Sequence, residues 1–201
     1  MTDPSRLLVV KVGGSLLLWP LLTDRLSRFL AFRRDRIVLI AGGGGAADWV
    51  RALDQAHQIG QEIAHELALR SLDLSARALA ILLTDADVVE SVAEIAQVWH
   101  AGRIPILSPR LVWNEAEKLT FDRLPRDWNT TTDSIAARIA SLLHADELIL
   151  LKSTSIPAGT SREQAALAGV VDPVFPQASR GLASIILINL RDENDSGVRL
   201  L

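Results

Sequence analysis

The feature that most constrains this chain is a pair of apolar segments that each end in glycines. Leu7–Val12 runs into Gly13-Gly14-Ser15, and Arg36–Ala41 runs into the four glycines at 42–45. Apolar, β-branched runs of this length predict buried strands, and glycine turns allow positive φ and close approach of a ligand to the backbone. A helix after the second run would present free N–H groups and a positive dipole end to an anion. We therefore expect the four glycines to bind a phosphate or carboxylate rather than to form a simple tight turn.

Three further apolar segments predict strands at 104–107, 147–152 and 184–190. Helices are expected at 21–34, at 46–83 with a break near 58–60, and at 90–100, 131–143 and 162–168. Because strands alternate with helices and the apolar runs are continuous, the pattern is typical of parallel strands covered on both faces. The sequence therefore predicts an α/β fold, a three-layer α-β-α sandwich around a mainly parallel sheet. The remaining segments are expected to form a turn at 85–87, a connection over 108–128, an extended segment at 170–176 and a solvated tail at 191–199.

Length and composition limit the classes of protein to consider. A chain of 201 residues, 49% of them hydrophobic, is expected to form one domain over residues 1–201. A net charge of −3 without a basic stripe argues against nucleic acid as the main partner. The lack of cysteine excludes disulfides, thiolate metal ligands and a cysteine nucleophile, and it fits a reducing cytoplasm. No apolar stretch reaches ~18 residues, and the run after residues 1–6 is too short for a signal segment, so we expect neither a membrane span nor secretion.

Charged residues stand at the ends of two predicted strands. Lys11 is the only charge inside the first strand, Lys152 ends the strand at 147–152, and Asp133 lies at the start of the preceding helix. In an open α/β sheet, ligands bind in the crevice beyond the carboxyl ends of the strands, so these three side chains can face one crevice. Cations, backbone amides and a carboxylate together suit phosphoryl transfer. The structural alternative is that Asp133 only caps its helix and Lys152 only marks a strand end.

Other binding patterns find less support in the sequence. No Gly-x-x-x-x-Gly-Lys-Ser/Thr P-loop occurs. Residues 42–47 match the looser dinucleotide pattern Gly-x-Gly-x-x-Ala, but the acidic residue at the required distance, Glu62, lies in a predicted helix. The histidines are too isolated to predict a metal site, and His65 is expected either to line the groove or to be hydrogen-bonded in the core. Trp113 and Trp128 are expected to pack either on a substrate ring or on the core.

Four motifs, in this order, resemble the amino acid kinase superfamily. They are Lys11-Val-Gly-Gly-Ser15, the strand-linked glycines at 42–45, Asn129-x-x-x-Asp133-Ser-Ile-Ala-Ala, and Leu151-Lys152-Ser. The resemblance spans residues 7–190 and implies the amino acid kinase fold, also called carbamate kinase-like. It further implies a homo-oligomeric, ATP- and Mg²⁺-dependent kinase that phosphorylates a phosphate or carboxylate on a small molecule.

Several features resemble one short branch of this superfamily, the aminomethylfuran phosphate kinases of methanofuran biosynthesis. These are the compact length, the run Asp127-Trp-Asn-Thr-Thr-Thr-Asp-Ser, the run Leu-Leu-Lys-Ser, and Val171-Asp-Pro-Val-Phe-Pro176. That resemblance implies an aminomethylfuran phosphate as the acceptor. One position departs from the family, because relatives usually carry Asp-Gly where this chain has Ser155-Ile156. The loop that normally helps to hold the nucleotide base is therefore expected to be altered.

The resemblance also implies roles for individual residues. Lys11 would contact the transferring phosphoryl group, Lys152 would approach the phosphates from the nucleotide side, and Asp133 would lie between the lysines and orient them. The nucleotide side would further include Gly13, Gly14, Ser15, Ser153 and Thr154, and the acceptor side would include Gly43, Gly44, Gly45 and Asn129. No general base is implied, because an acceptor phosphate or carboxylate is already ionised at neutral pH. No metal ligand from the protein is implied either.

Two other classes of function stay open on the sequence alone. A non-catalytic anion- or nucleotide-binding storage protein on the same fold would need the glycine loops without the chemistry. The presence of both lysines and Asp133 argues against it, whereas the altered Ser155-Ile156 pair leaves it open. A nicotinamide-dependent oxidoreductase rests only on the weak dinucleotide pattern.

Overall fold

In the computed structural model, which describes residues 6–201, seven strands form one sheet. The strands are β1 (Leu7–Val12), β2 (Arg36–Ala41), β3 (Ala86–Val89), β4 (Ile104–Leu107), β5 (Glu147–Lys152), β6 (Ile185–Asn189) and β7 (Val198–Arg199). Their order is β3-β4-β2-β1-β5-β6-β7, and every neighbouring pair is parallel except β6 and β7. The predicted mainly parallel sheet is confirmed. The first five residues, on which part of the prediction about a signal segment rests, lie outside the described residues.

Helices connect these strands and cover the sheet. They are α1 (Leu22–Ala31), α2 (Gly44–His57), α3 (Gln61–Leu82), α4 (Val92–His100), α5 (Pro109–Leu119), α6 (Thr132–Leu142), α7 (Arg162–Leu167) and α8 (Phe175–Ala178), with a 3₁₀ turn at Gly14–Leu16. The predicted break between α2 and α3 lies at Gln58, which has a φ of 49°, and at Gly60, which has a φ of 92°. Positive φ at successive turns ends the first helix and redirects the chain into the second.

Alternate residues of the central strands face two separate layers of helices. Val9 of β1 and Leu150 of β5 pack on the face that α6 covers. Val10 of β1 packs on the opposite face, with α1 and the C-terminal half of α3. The predicted three-layer α-β-α sandwich is therefore confirmed. Because side chains alternate with a period of two along a strand, Lys11 and Lys152 both point to the α6 side.

The strand order reverses beside β1. The chain passes from β1 to β2 on one side and later returns through β5 on the other side. In open α/β sheets, the crevice outside the strand ends at such a switch point is the usual place for a ligand. The turn after β1 is tied to β5 here, because the Gly13 N–H donates to the Leu151 carbonyl at 2.8 Å.

Two segments predicted to be irregular contain regular structure with a local explanation. The turn predicted at 85–87 is wrong, because the edge strand β3 begins at Ala86. Arg103 donates to both carboxylate oxygens of Asp87, at 2.5 and 2.9 Å, and this pairing offsets the charge in a strand. The connection predicted over 108–128 contains α5, which places proline in its first turn. Proline there costs nothing, since that N–H has no partner inside a helix.

Two other segments gain structure from distant partners. The segment predicted as extended at 170–176 leads into α8, which has only 4 residues. The tail predicted as solvated at 191–199 contains β7, which has 2 residues and pairs antiparallel with β6. Elements this short carry no readable hydrophobic period, so their formation depends on non-local pairing and packing.

The two glycine loops pack against each other, backbone to backbone. A Cβ on Gly14 would lie 2.4 Å from the nitrogen of Gly44, and a Cβ on Gly42 would lie 2.6 Å from the nitrogen of Gly14. Gly44 also has a φ of 52°, and a Cβ on Gly43 would lie 2.5 Å from the Cβ of Ala47. Contact with Gly14 thus accounts for Gly42, contact with Gly14 and a positive φ for Gly44, and contact with side chains of α2 and α3 for Gly43, whereas a Cβ on Gly45 would meet no described atom within 4 Å. Packing and backbone conformation are thus additional reasons for glycine here, and binding of an anion by this loop stays a prediction.

Gly14→Ala is expected to lower the free energy of unfolding by roughly 1–3 kcal/mol, because the loops must separate to admit the methyl group. Gly181→Ala is the matched control, since its nearest atom would be the Ser141 hydroxyl oxygen at 3.8 Å. Chemical denaturation of both variants measures the difference. Equal stability of the two variants would show that the loop contact does not constrain position 14.

Candidate active site

Two lysines share one carboxylate at the carboxyl ends of β1 and β5. Lys11 Nζ lies 2.8 Å from Asp133 Oδ1, and Lys152 Nζ donates to Asp133 Oδ2 at 2.5 Å. Lys11 and Asp133 are buried, and the Lys152 side chain keeps 13% of its surface exposed. The chain has only three lysines among its 21 lysines and arginines, and two of them stand here. The structure therefore brings together the three side chains that the sequence assigned to one crevice, and we call them the triad.

The charges of the triad depend on one another. Burial by itself would raise the pKa of Asp133, but Lys11 and Lys152 outweigh it and lower the pKa to about 2. Because this carboxyl is more acidic in the folded than in the unfolded protein, its ionised form contributes stability above about pH 4 that is lost as the pH falls towards 2. Burial and the nearby charge of Lys11 lower the pKa of Lys152, and Asp133 opposes that shift.

Asp172, a residue that the sequence analysis did not single out as functional, fixes the start of α6. Its Oδ2 accepts hydrogen bonds from the backbone N–H groups of Thr131 and Ser134, each at 3.1 Å, and from the Thr131 hydroxyl at 2.8 Å. Its Oδ1 accepts from the Ser134 hydroxyl. These are the N–H groups that a helix leaves without internal partners, so Asp172 caps α6 from a distant part of the chain. Asp133 is thereby free to bind the lysines, and its interpretation as a simple cap is wrong.

Hydroxyl groups line the crevice on the side of β5. Ser15 Oγ and Ser153 Oγ lie 3.0 Å apart, so the turn after β1 meets the turn after β5. Thr154 is exposed, and its hydroxyl donates to the Ser155 carbonyl at 3.4 Å. The Gly13 N–H already donates to the Leu151 carbonyl of β5. Gly13, one of the residues expected to bind the nucleotide, can therefore let a phosphate come close to the backbone, but its N–H is not available as a hydrogen-bond donor.

The departure at Ser155-Ile156 has a structural role. Ile156 belongs to the core on the α6 face. The Ser155 hydroxyl lies 3.3 Å from Asp195 Oδ2 and accepts from Asn189 Nδ2 at 3.1 Å. The segment after Lys152 is therefore anchored to the end of β6 and to the segment before β7.

A small cavity lies on the other side of the triad, between α2, α3 and the segment that enters α6. Its volume is about 60 Å³, several times the space that holds one water. It is lined by Ala47, Arg51, His65, Ala68, Leu69, Leu72, Trp128, Thr130, Thr131, Thr132 and Ile135. Gly43 lies directly behind this wall, because a Cβ there would touch Ala47 and Leu72. We call this space the α2–α3 cavity.

The tryptophans and Asn129 take different places around this cavity. Trp113 is fully buried in the core, whereas Trp128 lines the cavity with its Nε1 donating to Asp54 Oδ2 at 2.8 Å. The Asn129 side-chain amide and backbone N–H both donate to the Asp127 carboxylate, at 3.1 and 2.8 Å. Asn129 therefore stands beside the cavity but is not among its lining residues.

No group of three or more His, Asp or Glu side chains among residues 6–201 is arranged to hold a metal ion. Within the same residues, no helix combines the length and apolar character needed to cross a membrane.

Sequence comparisons place this architecture among known proteins. The profile of the Amino acid kinase family matches residues 6–155. The [5-(aminomethyl)furan-3-yl]methyl phosphate kinase of Methanocaldococcus jannaschii is 30% identical over 144 residues, which cover 71% of this chain. The match spans 63% of the length of that relative.

Solved structures agree in fold. UMP kinase from Ureaplasma parvum superposes with a TM-score of 0.66 at 13% identity, covering 95% of this chain and 92% of the other. Aspartate kinase from Synechocystis gives a TM-score of 0.67 at 14% identity, covering 96% of this chain and 40% of the other. With the family profile covering residues 6–155 and the predicted fold confirmed, the chain belongs to the amino acid kinase family.

Proposed function

We propose that this protein is an ATP-dependent kinase that transfers the γ-phosphoryl group to a phosphate or carboxylate on a small molecule. The observation that carries the proposal is the buried triad at the switch point of the sheet. Two cations that share one carboxylate leave the triad with a net positive charge, so it suits an anion that accumulates charge. Phosphoryl transfer depends mostly on such positioning and charge stabilisation.

Each member of the triad has a distinct part in this reaction. An oxygen of the acceptor attacks the γ-phosphorus, the bond to the β–γ bridging oxygen breaks, and the charge moves onto the leaving ADP. Lys11 would stabilise the moving phosphoryl group, and Lys152 would stabilise the nucleotide phosphates. Asp133 would keep both ammonium groups in place, and with both oxygens committed to lysines it is not placed to act as a base. An ionised acceptor needs no base.

The donor set fits a polyphosphate better than it fits a metal ion bound by the protein alone. The site offers two ammonium groups and the hydroxyls of Ser15 and Ser153, whereas each oxygen of Asp133 already faces a lysine ammonium. Mg²⁺ typically binds nucleotide phosphates and keeps several waters, so it would arrive with ATP. When bound, it would neutralise charge on the β- and γ-phosphate oxygens.

For the acceptor we propose a phosphate monoester of the aminomethylfuran class. The relative from Methanocaldococcus jannaschii acts, by its name, on [5-(aminomethyl)furan-3-yl]methyl phosphate. The α2–α3 cavity lies next to Gly43 and the start of α6, and it has an apolar wall and an aromatic ring, as a small heterocycle requires. A non-catalytic storage function is not favoured, because storing an anion does not require a carboxylate held between two lysines.

Lys11→Met and Lys152→Met are expected to lower kcat by roughly 10²–10³ each, because each removes a cation that acts mainly in the transition state. Both variants should stay folded, since the remaining lysine and Asp133 form a balanced ion pair. Lys118→Met is the matched control, because Lys118 is exposed on α5 and its side chain pairs with the exposed Glu115, away from the triad. Steady-state turnover of ATP and [5-(aminomethyl)furan-3-yl]methyl phosphate measures the effect. Turnover near that of the control in either variant would refute the role of that lysine.

The pH dependence of kcat/KM is expected to show an alkaline limb below pH 10.5, the usual pKa of lysine. Burial lowers the pKa of Lys152, so its ammonium loses the proton, and the site loses a cation, at a lower pH than an exposed lysine would. Since kcat/KM reports the free enzyme, initial rates at low substrate between pH 7 and 10.5 measure this limb. A profile that stays flat up to pH 10.5 would contradict the assignment of Lys152.

A further inference from the structure

The α2–α3 cavity contains a buried histidine whose hydrogen bonding is incomplete. Only 3% of the surface of His65 is exposed. Its Nδ1 lies 3.2 Å from the backbone carbonyl oxygen of Asp127. Within residues 6–201, its Nε2 is buried and has no hydrogen-bond partner. Leaving a buried polar atom unpaired is costly, so a histidine retained in this state calls for a partner from outside the chain.

The Asp127 carbonyl determines which ring nitrogen of His65 carries a proton. A carbonyl oxygen only accepts hydrogen bonds, so Nδ1 must be the donor. Burial lowers the pKa of His65, and the nearby charge of Arg126 lowers it further, whereas the hydrogen bond to Asp127 and the carboxylates of Asp127 and Glu66 oppose the shift. The neutral ring therefore presents Nε2 as an acceptor. A group that satisfies it must donate an N–H or an O–H.

The ring of His65 lies beside a buried aromatic ring. The indole of Trp113 lies 6.4 Å away between ring centroids, at an interplanar angle of 51°, and is itself fully buried. The cavity is also lined by Arg51, which is exposed, and by Trp128, which is half-buried, and the Arg51 guanidinium stacks 4.6 Å from the centre of the Trp128 ring. A ligand in this cavity would thus have an exposed cation and an aromatic ring near the solvent and a buried hydrogen-bond acceptor inside.

We propose that His65 is a specificity residue whose Nε2 accepts a hydrogen bond from an N–H or O–H group on the body of the acceptor molecule. The proposal rests on the proposed function, because it names a chemical feature of the acceptor of that same site. It assigns His65 no part in phosphoryl transfer, since the triad needs no base. An amine or hydroxyl on a small, otherwise apolar acceptor fulfils the requirement.

Two probes and two variants test this proposal. The probes are [5-(aminomethyl)furan-3-yl]methyl phosphate and the analogue in which a methyl group replaces the aminomethyl group. His65→Asn keeps a donor at the position of Nδ1 but has no acceptor at the position of Nε2. His65→Gln places a carbonyl oxygen near the position of Nε2. Calorimetry without ATP gives the Kd of each probe for the wild type and both variants, and these values form a double-mutant cycle.

The wild type is expected to bind the amine probe roughly 10- to 100-fold more tightly than the methyl probe, because a site built for a donor is left unpaired by an analogue without one. His65→Asn should abolish most of this preference and leave binding of the methyl probe nearly unchanged. His65→Gln should restore part of the preference. The same preference in the wild type and in His65→Asn, or no binding of either probe to the wild type, would overturn the proposal.

A measurement on the wild type removes any dependence on how well the variants fold. In protein labelled with ¹⁵N-histidine, the Nε2 resonance of His65 should move when the amine probe is added and stay in place with the methyl probe. An unchanged resonance with both probes would overturn the proposal. Loss of the amine preference in His65→Asn, without any phosphorylation by the wild type, would support His65 and refute the kinase. Turnover that His65→Asn leaves unchanged would support the kinase and refute the role of His65.

Discussion

The structure depends on the sharing of one buried carboxylate by two buried lysines. Removing three charges from water is expensive, and the cost is offset only if each charge keeps a well-placed partner. Lys11 comes from β1, Lys152 from β5 and Asp133 from α6, so the register of the sheet and the position of α6 must both be right. Asp172, which is distant in the sequence, fixes the position of α6, because it accepts hydrogen bonds from the N–H groups at the start of that helix. Two cations against one anion leave a positive charge that an anionic ligand would complete.

The sequence predicted the parts of the fold that depend on local pattern. Continuous apolar runs predicted the strands at 104–107 and 147–152 with the bounds that the structure has. The positions of Lys11 and Lys152 at strand ends, and of Asp133 at a helix start, then predicted that the three side chains could face one crevice. The sequence did not predict β7 and α8. These segments are too short to show a hydrophobic period, and they form only against partners elsewhere in the chain. Asp172 escaped prediction for the same reason, since a cap 38 residues from Ser134 leaves no local signal.

The site also shows where a sequence motif has more than one physical cause. A run of four glycines suggested close approach of a ligand, yet packing contacts are a further reason for Gly42, Gly43 and Gly44, with a positive φ at Gly44. Gly45 is the member that packing and φ leave unexplained, and it stands in the first turn of α2. His65 is the opposite case, because nothing in its sequence context is unusual. The structure shows that it lines a cavity and that its Nε2 has no partner among residues 6–201. On the proposed function, the triad would serve phosphate chemistry and the α2–α3 cavity would serve the choice of acceptor.

The turnover number of Asp133→Asn tests the central claim most directly. Asparagine keeps the size and hydrogen-bonding shape of the side chain but removes the charge that holds Lys11 and Lys152 together. We expect kcat to fall at least about 100-fold with ATP and [5-(aminomethyl)furan-3-yl]methyl phosphate, while circular dichroism shows a folded protein. Asp24→Asn, at an exposed position on α1, should turn over like the wild type. A folded Asp133→Asn variant with kcat within a few-fold of the wild type would contradict the account.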